Sequence, residues 1–262
     1  MSGPVFSASA RYYDLLYQDK DYAGEADYVA GLIERFHPGA KTLLELGSGT
    51  GRHALHLARK GLSIQGVERS EEMLSRARAA AHAAFPAPVP GSPDKPEFMQ
   101  GDIRTVRIER QFDAAVSLFH VISYQTTDDD LRAAFRTARA HLRPGGLFVF
   151  DVWYGPAVLT NPPAVRIKRV SDEAIEVTRR AEPVHRPDRH LVEISYQVCV
   201  RNRKDGTAHE IREVHLMRYL FAPELDRLLG EAGLTLLHSE EWLTGREPGS
   251  GIWGVCFVAR NG

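Results

Sequence analysis

From residue 41 to residue 151, short apolar runs alternate with segments whose apolar positions recur at helical spacing. The runs at 42–45, 63–67, 97–100, 112–117 and 147–150 predict strands, and the segments near 51–60, 71–84 and 128–141 predict helices. Strands separated by helices imply a parallel sheet with crossover connections. Ser70-Glu71-Glu72 fits a helix start, with Ser70 as N-cap and acids in the first turn. Arg143-Pro144-Gly145-Gly146 reads as a turn feeding the fifth strand. Pro86, Pro88, Pro90, Pro93 and Pro96 predict an extended surface connector.

After Asp151 the period shortens to two. Residues 165–220 carry alternating runs at 174–180, 190–201 and 208–219, broken by Arg186-Pro187-Asp188 and Lys204-Asp205-Gly206. That is the pattern of antiparallel strands joined by turns. A helix is expected over 222–232, with Pro223 at its first position and Gly233 after its end, and strand character returns at 234–242 and 252–259. The fold expected is α/β: a doubly wound, mostly parallel, seven-stranded Rossmann-like sheet with an antiparallel β insertion after strand five.

Composition narrows the functions available. The chain has 262 residues, with 33 basic side chains against 34 acidic ones, which leaves no basic stripe for nucleic acid. No apolar stretch has the length of a membrane span, and Met1-Ser2-Gly3-Pro4 lacks the regions of a signal peptide, so a cytoplasmic location is expected. Cys199 and Cys256 stand alone in strand-like runs and read as buried, reduced thiols. His53 and His56 lie three apart on a helix without a third ligand in suitable spacing, so they read as solvent-facing and no metal is expected.

The chemistry starts at Glu45-Leu46-Gly47-Ser48-Gly49-Thr50-Gly51, where an apolar strand ends in an acid and alternate glycines. Glycines let the backbone turn tightly and approach a ligand. Glu68, at the end of the second strand, stands where ribose hydroxyls can donate to it. Arg52 opens the next helix, and Arg69 and Met73 follow the second strand. After strand three, Asp102 can accept from an adenine amino group while Ile103 packs on the ring. Glu45 can accept from a ligand ammonium. An adenosine bearing an amino acid meets these demands, and S-adenosylmethionine is such a molecule.

These residues carry a resemblance. Glu45 through Gly51, Glu68 with Met73-Leu74, Gly101-Asp102 and Leu142-Arg143-Pro144-Gly145-Gly146 resemble the class I S-adenosylmethionine-dependent methyltransferases. Tyr13-Asp14-Leu15-Leu16-Tyr17, the segment 20–26, Gln100 to Arg104, Val116 to Phe119, Ser123-Tyr124, Asp151 to Tyr154, His215 and Leu220-Phe221 are similar to the TDP-amino-sugar N,N-dimethyltransferases of the desosamine and mycaminose type. The likeness runs from about residue 13 to residue 237. It implies S-adenosylmethionine as cofactor, S-adenosylhomocysteine as product, and methyl transfer to the amino group of an amino sugar. A hydroxyl group or a free amino acid is the alternative acceptor, and cofactor binding without catalysis is a third reading.

The resemblance also implies roles. Tyr13, Tyr17 and Tyr22 close over the methionine end of the cofactor, or else staple an N-terminal helix to the core. Leu118 and Phe119 follow strand four beside the cofactor. Tyr124 stands where the family has a His or Tyr near the substrate nitrogen. It shares candidacy for proton removal with His120, at a position usually small in the family, and with Asp151. Trp153 and Tyr154 wall the acceptor pocket or form a packed aromatic corner, and His215 covers the acceptor from the insertion.

The tail departs from the family. Where those sugar enzymes carry an arginine that meets the nucleotide diphosphate, this chain has Ile252, with Arg246 in the same loop as a substitute and Trp253 beside it. Asn161-Pro162-Pro163-Ala164 shares three residues with the base-flipping loop of amino-group DNA methyltransferases. It follows strand five rather than four and lacks the aromatic residue, so a small-molecule acceptor is expected and no nucleic acid. The organisation expected is an N-terminal helical cap over 1–40, a cofactor-binding core over 41–154, a β-rich insertion for substrate or a homodimer over 155–220, and completion of the sheet over 221–262.

Overall fold

The computed structural model describes residues 10–86 and 94–262. Most of the proline connector therefore lies outside the described residues. Two helices open the described chain, α1 (Ala10–Leu16) and α2 (Tyr22–Phe36). The alternating half follows as β1 (Thr42–Leu46), α3 (Arg52–Arg59), β2 (Ser63–Glu68), α4 (Glu71–Ala84), β3 (Glu97–Gln100), β4 (Phe112–Ser117), α5 (Asp128–Ala140) and β5 (Leu142–Tyr154). Then come α6 (Gly155–Thr160), β6 (Arg166–Ser171), β7 (Ile175–Arg186), β8 (Leu191–Asn202), β9 (Ala208–Leu220), α7 (Ala222–Glu231), β10 (Leu234–Glu241) and β11 (Gly254–Asn261).

The main sheet runs β3-β2-β1-β4-β5, and β11 then pairs antiparallel with β5 and with β10. This is the doubly wound, mostly parallel seven-stranded sheet. The two faces of β1 show why it is wound on both sides. Leu44 and Leu46 join the core under α5 and α7, while Leu43 joins the core under α2, α3 and α4. Burying one such leucine stabilises the fold by about 2 kcal/mol. Glu45 shares the Leu43 face by the strand's period of two, so it lies beneath α3 and not in solvent.

Local signals set the elements. The Ser70 hydroxyl accepts from the Met73 N–H and starts α4, and Thr127 does the same for α5 from Asp130. Strand five is longer than its apolar run, because the turn at 143–146 is taken up as an irregularity with Gly145 at φ 78°. Helix α6 occupies the start of the segment expected to be β-rich.

The insertion is an antiparallel meander, β6-β7-β8-β9, joined to the main sheet where β9 meets the end of β5 at Trp153↔Tyr219 and Tyr154↔Leu220. Helix α1 packs on its inner face, with Tyr12 and Leu16 against Val177, Val198 and Val200. Cys199 is exposed, contrary to expectation, because the inward positions of β8 belong to its neighbours Val198 and Val200. Cys256 is buried in the core. No helix among the described residues is long and apolar enough to cross a membrane.

Candidate active site

The carboxyl ends of β1, β2, β4 and β5 open on one cavity of about 450 Å³, within the roughly 300–1,000 Å³ of small-molecule sites. It begins where the strand order reverses between β1 and β4, where open α/β sheets leave a crevice. Gly47, Ser48 and Gly49 line one end with Arg52, Glu68 and Met73.

Backbone donors fix this end. The Gly47 and Ser48 N–H groups donate to the Val67 carbonyl at 2.8 and 3.0 Å. Gly49 N–H donates to Glu68 Oε2 at 2.9 Å, and the N–H groups of Arg69 and Ser70 donate to Oε1 at 2.9 and 2.8 Å. A carboxylate has about four acceptor sites, so with three taken this one is locked in place with about one left for a ligand hydroxyl. Nothing lies within 4 Å of where a Cβ on Gly49 would stand, so the backbone is bare to the cavity there. Gly51 has a different reason: its φ is 76°, and a Cβ would stand 2.7 Å from Phe98 and 3.1 Å from Ala77. It serves the packing of α3 on the sheet and does not line the cavity.

Glu45 lies behind the glycines, 1% exposed, with no hydrogen-bond partner for Oε2. Burial, and then the charge of Glu68, push its carboxyl up to about 8. Its Oε1 is 3.9 Å from His53 Nδ1, and His53 Nε2 is 2.7 Å from Glu25 Oε2. His53 is therefore buried and lines the cavity, contrary to the solvent-facing expectation, because the first turn of α3 faces α2. Burial works to raise the Glu25 carboxyl, but the His53 and Lys20 hydrogen bonds outweigh it and hold the group low. An orphaned buried carboxylate oxygen beside a bare glycine backbone, with a second carboxylate fixed across the turn, fits the ammonium and ribose of S-adenosylmethionine.

Tyr13, Tyr17 and Tyr22 close the same end. The Tyr13 and Tyr17 ring centroids are 4.7 Å apart, as one helical turn places them, and Tyr17 meets Phe119 edge-on at 5.1 Å. Tyr22 stands edge-on to His53 at 4.9 Å. Burial raises the phenol pKa of Tyr13 and of Tyr22, keeping both neutral donors.

Beyond β4 the backbone is strained. Phe119 and His120 have φ 64° and 62°, a conformation that costs non-glycine residues on the order of 1–3 kcal/mol each. Asp151, 1% exposed at the end of β5, holds the turn. Its carboxylate accepts the His120 N–H at 3.1 Å and lies 2.6 Å from His120 Nδ1. Tyr124 follows in a single 3-10 turn, and its hydroxyl is 2.9 Å from His215 Nδ1. Glu213 Oε2 lies 3.3 Å from His215 Nε2. Burial raises the Tyr124 phenol far above its ordinary value.

The far end is walled by Trp153 and Trp253, in edge contact at 5.1 Å, and by the inner face of the insertion. Trp253 Nε1 donates to the Asn161 carbonyl at 3.1 Å, which places Pro163 and Ala164 on the wall. That segment, set aside in the sequence as a nucleic-acid element, is thus part of the pocket.

Of the residues singled out in the sequence, Tyr13, Tyr17, Tyr22, Gly47, Gly49, Arg52, Glu68, Met73, Leu118, Phe119, His120, Tyr124, Trp153 and Trp253 line the cavity together. Others stand off it. Asp102 is taken by Arg104, whose backbone N–H and Nε both donate to Oδ1 at 2.9 Å. Ile103 is buried in the core with Val67 and Val106, and Tyr154 packs against that core. Arg69 contributes its N–H to Glu68, and His215 lies buried behind Tyr124. Arg246 is bound to Glu241 Oε2, with Nε at 3.0 Å and the guanidinium NH2 at 2.8 Å, so it does not face the acceptor end.

Sequence reasoning missed Ser48, Thr50, His53 and Val121, and all the insertion residues that line the wall. Among these are Arg166, Lys168, Arg179, Ala181, Ile194, Tyr196 and Met217. Their alternation was visible, but which face turned inward was not. Among the described residues no group of three or more His, Cys, Asp or Glu side chains could hold a metal ion.

Comparison with known proteins agrees with this geometry. A family model described as a methyltransferase domain matches residues 43–146. The dTDP-3-amino-3,4,6-trideoxy-alpha-D-glucopyranose N,N-dimethyltransferase of Streptomyces venezuelae is 31% identical over 246 residues, covering 93% of this chain and 95% of that one. The crystal structure of Streptomyces venezuelae DesVI superposes with a TM-score of 0.77 at 29% identity, over 95% of this chain and 97% of that one. CalS10, an amino pentose methyltransferase from Micromonospora echinaspora solved with S-adenosylmethionine bound, gives a TM-score of 0.71 at 26% identity, over 100% and 98%. With the nucleoside-binding end and the overall length both shared, the chain belongs to the class I S-adenosylmethionine-dependent methyltransferases, in the family of the TDP-amino-sugar N,N-dimethyltransferases.

Proposed function

We propose that this enzyme transfers a methyl group from S-adenosylmethionine to the amino group of a nucleotide-linked amino sugar. The observation that carries the reading is one continuous cavity with two chemically different ends. The glycine turn and Glu68, with Glu45 buried behind them, form a nucleoside and ammonium end, and aromatic and cationic insertion residues form the other. Bound S-adenosylmethionine supplies an activated methyl carbon. The acceptor activities named for the relatives from Streptomyces and Micromonospora support an amino sugar at the opposite end.

In this reading Tyr13, Tyr17 and Tyr22 cover the methionine end and exclude water, while Trp153 and Trp253 hold the sugar against the methyl group. Alignment of this kind supplies much of a displacement's rate enhancement. As nitrogen takes the methyl carbon it must lose a proton, and His120 is the group beside the cavity able to receive it. With Nδ1 facing Asp151 at 2.6 Å, its other nitrogen is the accepting atom. Tyr124, backed by His215, orients the amino group. Residues 155–220 form the acceptor-side cover in this scheme, and their outer face, with Ile167, Val214 and Leu216 exposed, is where a homodimer would form.

A methyl-release assay with TDP-3-amino sugars tests the proposal, and no turnover on any of them sinks it. The His120–Asp151 pair favours a second reading, methylation of a hydroxyl, because a hydroxyl depends on a base more than an amine does. Turnover on a deaminated 3-hydroxy sugar that exceeds turnover on the amine selects it.

A further inference from the structure

The insertion carries a cationic face that the methyl-transfer chemistry does not use. On the antiparallel pair β6–β7, Lys168 stands directly opposite Arg179, and Arg166 stands opposite Ala181. Residues two apart share a face, so Arg166, Lys168 and Arg179 project together, and all three line the cavity. The alternate residue Ile167 points outward and is 58% exposed. This strand therefore turns Arg166 and Lys168 to the cavity and Ile167 to water, while further along Arg169 is exposed and Val170 packs inward against the α1 cluster. Like charges set opposite each other on a sheet are destabilising, so the arrangement needs a reason outside folding.

The surrounding groups neutralise it only in part. Glu68, at the cofactor end, is the one carboxylate lining the cavity among the described residues. Lys168 reaches Asp19 at 2.5 Å, but that carboxylate is 67% exposed, and such pairs contribute little. Arg179 donates to the Tyr17 hydroxyl at 2.8 Å and stands 5.2 Å from the Tyr17 and Tyr196 ring centroids, while its Nε has no partner. A guanidinium flanked by rings, with a spare donor and two neighbouring cations, suits a phosphate group.

We infer that Arg166, Lys168 and Arg179 form an anion subsite at the acceptor end that binds the diphosphate of a nucleotide-linked acceptor. The inference rests on the proposed function for its ligand. The tail supplies no such cation at this end of the cavity, since Ile252 replaces the family's arginine and Arg246 is bound to Glu241. The diphosphate is thus recognised by the first two insertion strands.

Calorimetric titration of thymidine diphosphate and of thymidine into enzyme saturated with S-adenosylhomocysteine tests this without turnover. The diphosphate should bind at least tenfold more tightly than thymidine. The Arg166→Gln/Lys168→Gln double variant should erase most of that difference while S-adenosylhomocysteine affinity stays within twofold. Arg179→Gln should do the same, and the double variant decides if loss of the Tyr17 contact unfolds the single one. Equal affinities for thymidine and its diphosphate in the wild type, an unaffected preference in the double variant, or joint loss of both ligands overturns the subsite. Diphosphate binding through these residues without methylation of any amino sugar would leave the subsite standing and remove the amino-sugar reading.

Discussion

His120 Nδ1 lies 2.6 Å from an Asp151 carboxylate oxygen, and the same carboxylate accepts the His120 backbone N–H at 3.1 Å. One buried acid therefore holds the left-handed turn by a hydrogen bond and places a negative charge beside the imidazole it presents. The expected consequence is that His120 and Asp151 behave as a unit. His120→Asn, chosen because Asn tolerates positive φ, should lower kcat by about a hundredfold, the loss typical of a removed general base. Asp151→Asn should cost a similar factor, and the double variant little more. Single-turnover rates at saturating cofactor, with S-adenosylhomocysteine affinity unchanged, check this. Additive losses would show that the two residues act separately.

Glu68 accepts three backbone N–H groups, one from the glycine turn and two from the start of α4. Glu68→Ala removes the group proposed to meet the ribose and also loosens the turn. S-adenosylhomocysteine binding should weaken by about a hundredfold, or about 2.8 kcal/mol at 1.4 kcal/mol per factor of ten. Titration calorimetry measures it. Asp102→Ala should change cofactor affinity less than threefold, because that carboxylate is occupied by Arg104.

These two carboxylates show what the sequence could and could not reveal. Glu68 was legible because a strand end, a glycine turn and an N-cap serine are local features whose geometry follows from spacing. Asp102 looked equivalent from its position, but Arg104, two residues on, folds back onto it. His53 read as a surface residue because helical period alone does not say that α2 covers that face. The cations of β6 and β7 were not singled out, because alternation does not say which face of a strand turns inward. Only the register of the meander and the docking of α1 turn Lys168 and Arg179 toward the cavity. A local side-chain fold decided Asp102, and long-range packing decided His53 and the insertion cations.

The Tyr124 hydroxyl and His215 Nδ1 are 2.9 Å apart in a buried setting. Tyr124→Phe deletes this hydrogen bond at almost constant volume, with an expected stability loss of about 1 kcal/mol, or a Tm drop of roughly 2–4 °C in a protein of this size. If the hydroxyl also orients the acceptor amine, kcat/KM for the acceptor should fall about tenfold while cofactor affinity holds. A Tm change without a kinetic effect would assign Tyr124 to packing alone.

Glu45 gives a pH dependence whose sign can be worked out. Its folded-state pKa of about 8 lies well above the ordinary value near 4.3, so the ligand-free fold binds a proton there that the unfolded chain releases. The stability this protonation confers is complete below about pH 4 and is lost as pH rises to about 8. Glu45→Gln keeps a neutral group in place, so the ligand-free variant should gain on the wild type as pH rises, by at least about 2–4 °C in Tm at pH 8. Cofactor binding reverses the balance. An ammonium placed at Glu45 favours the carboxylate, so the wild type should release up to one proton on binding S-adenosylhomocysteine at pH 7. Glu45→Gln should release almost none and bind more weakly. Calorimetry in phosphate and in Tris, whose ionisation heats differ, counts the protons. Equal apparent enthalpies in the two buffers for the wild type would remove the ammonium from Glu45.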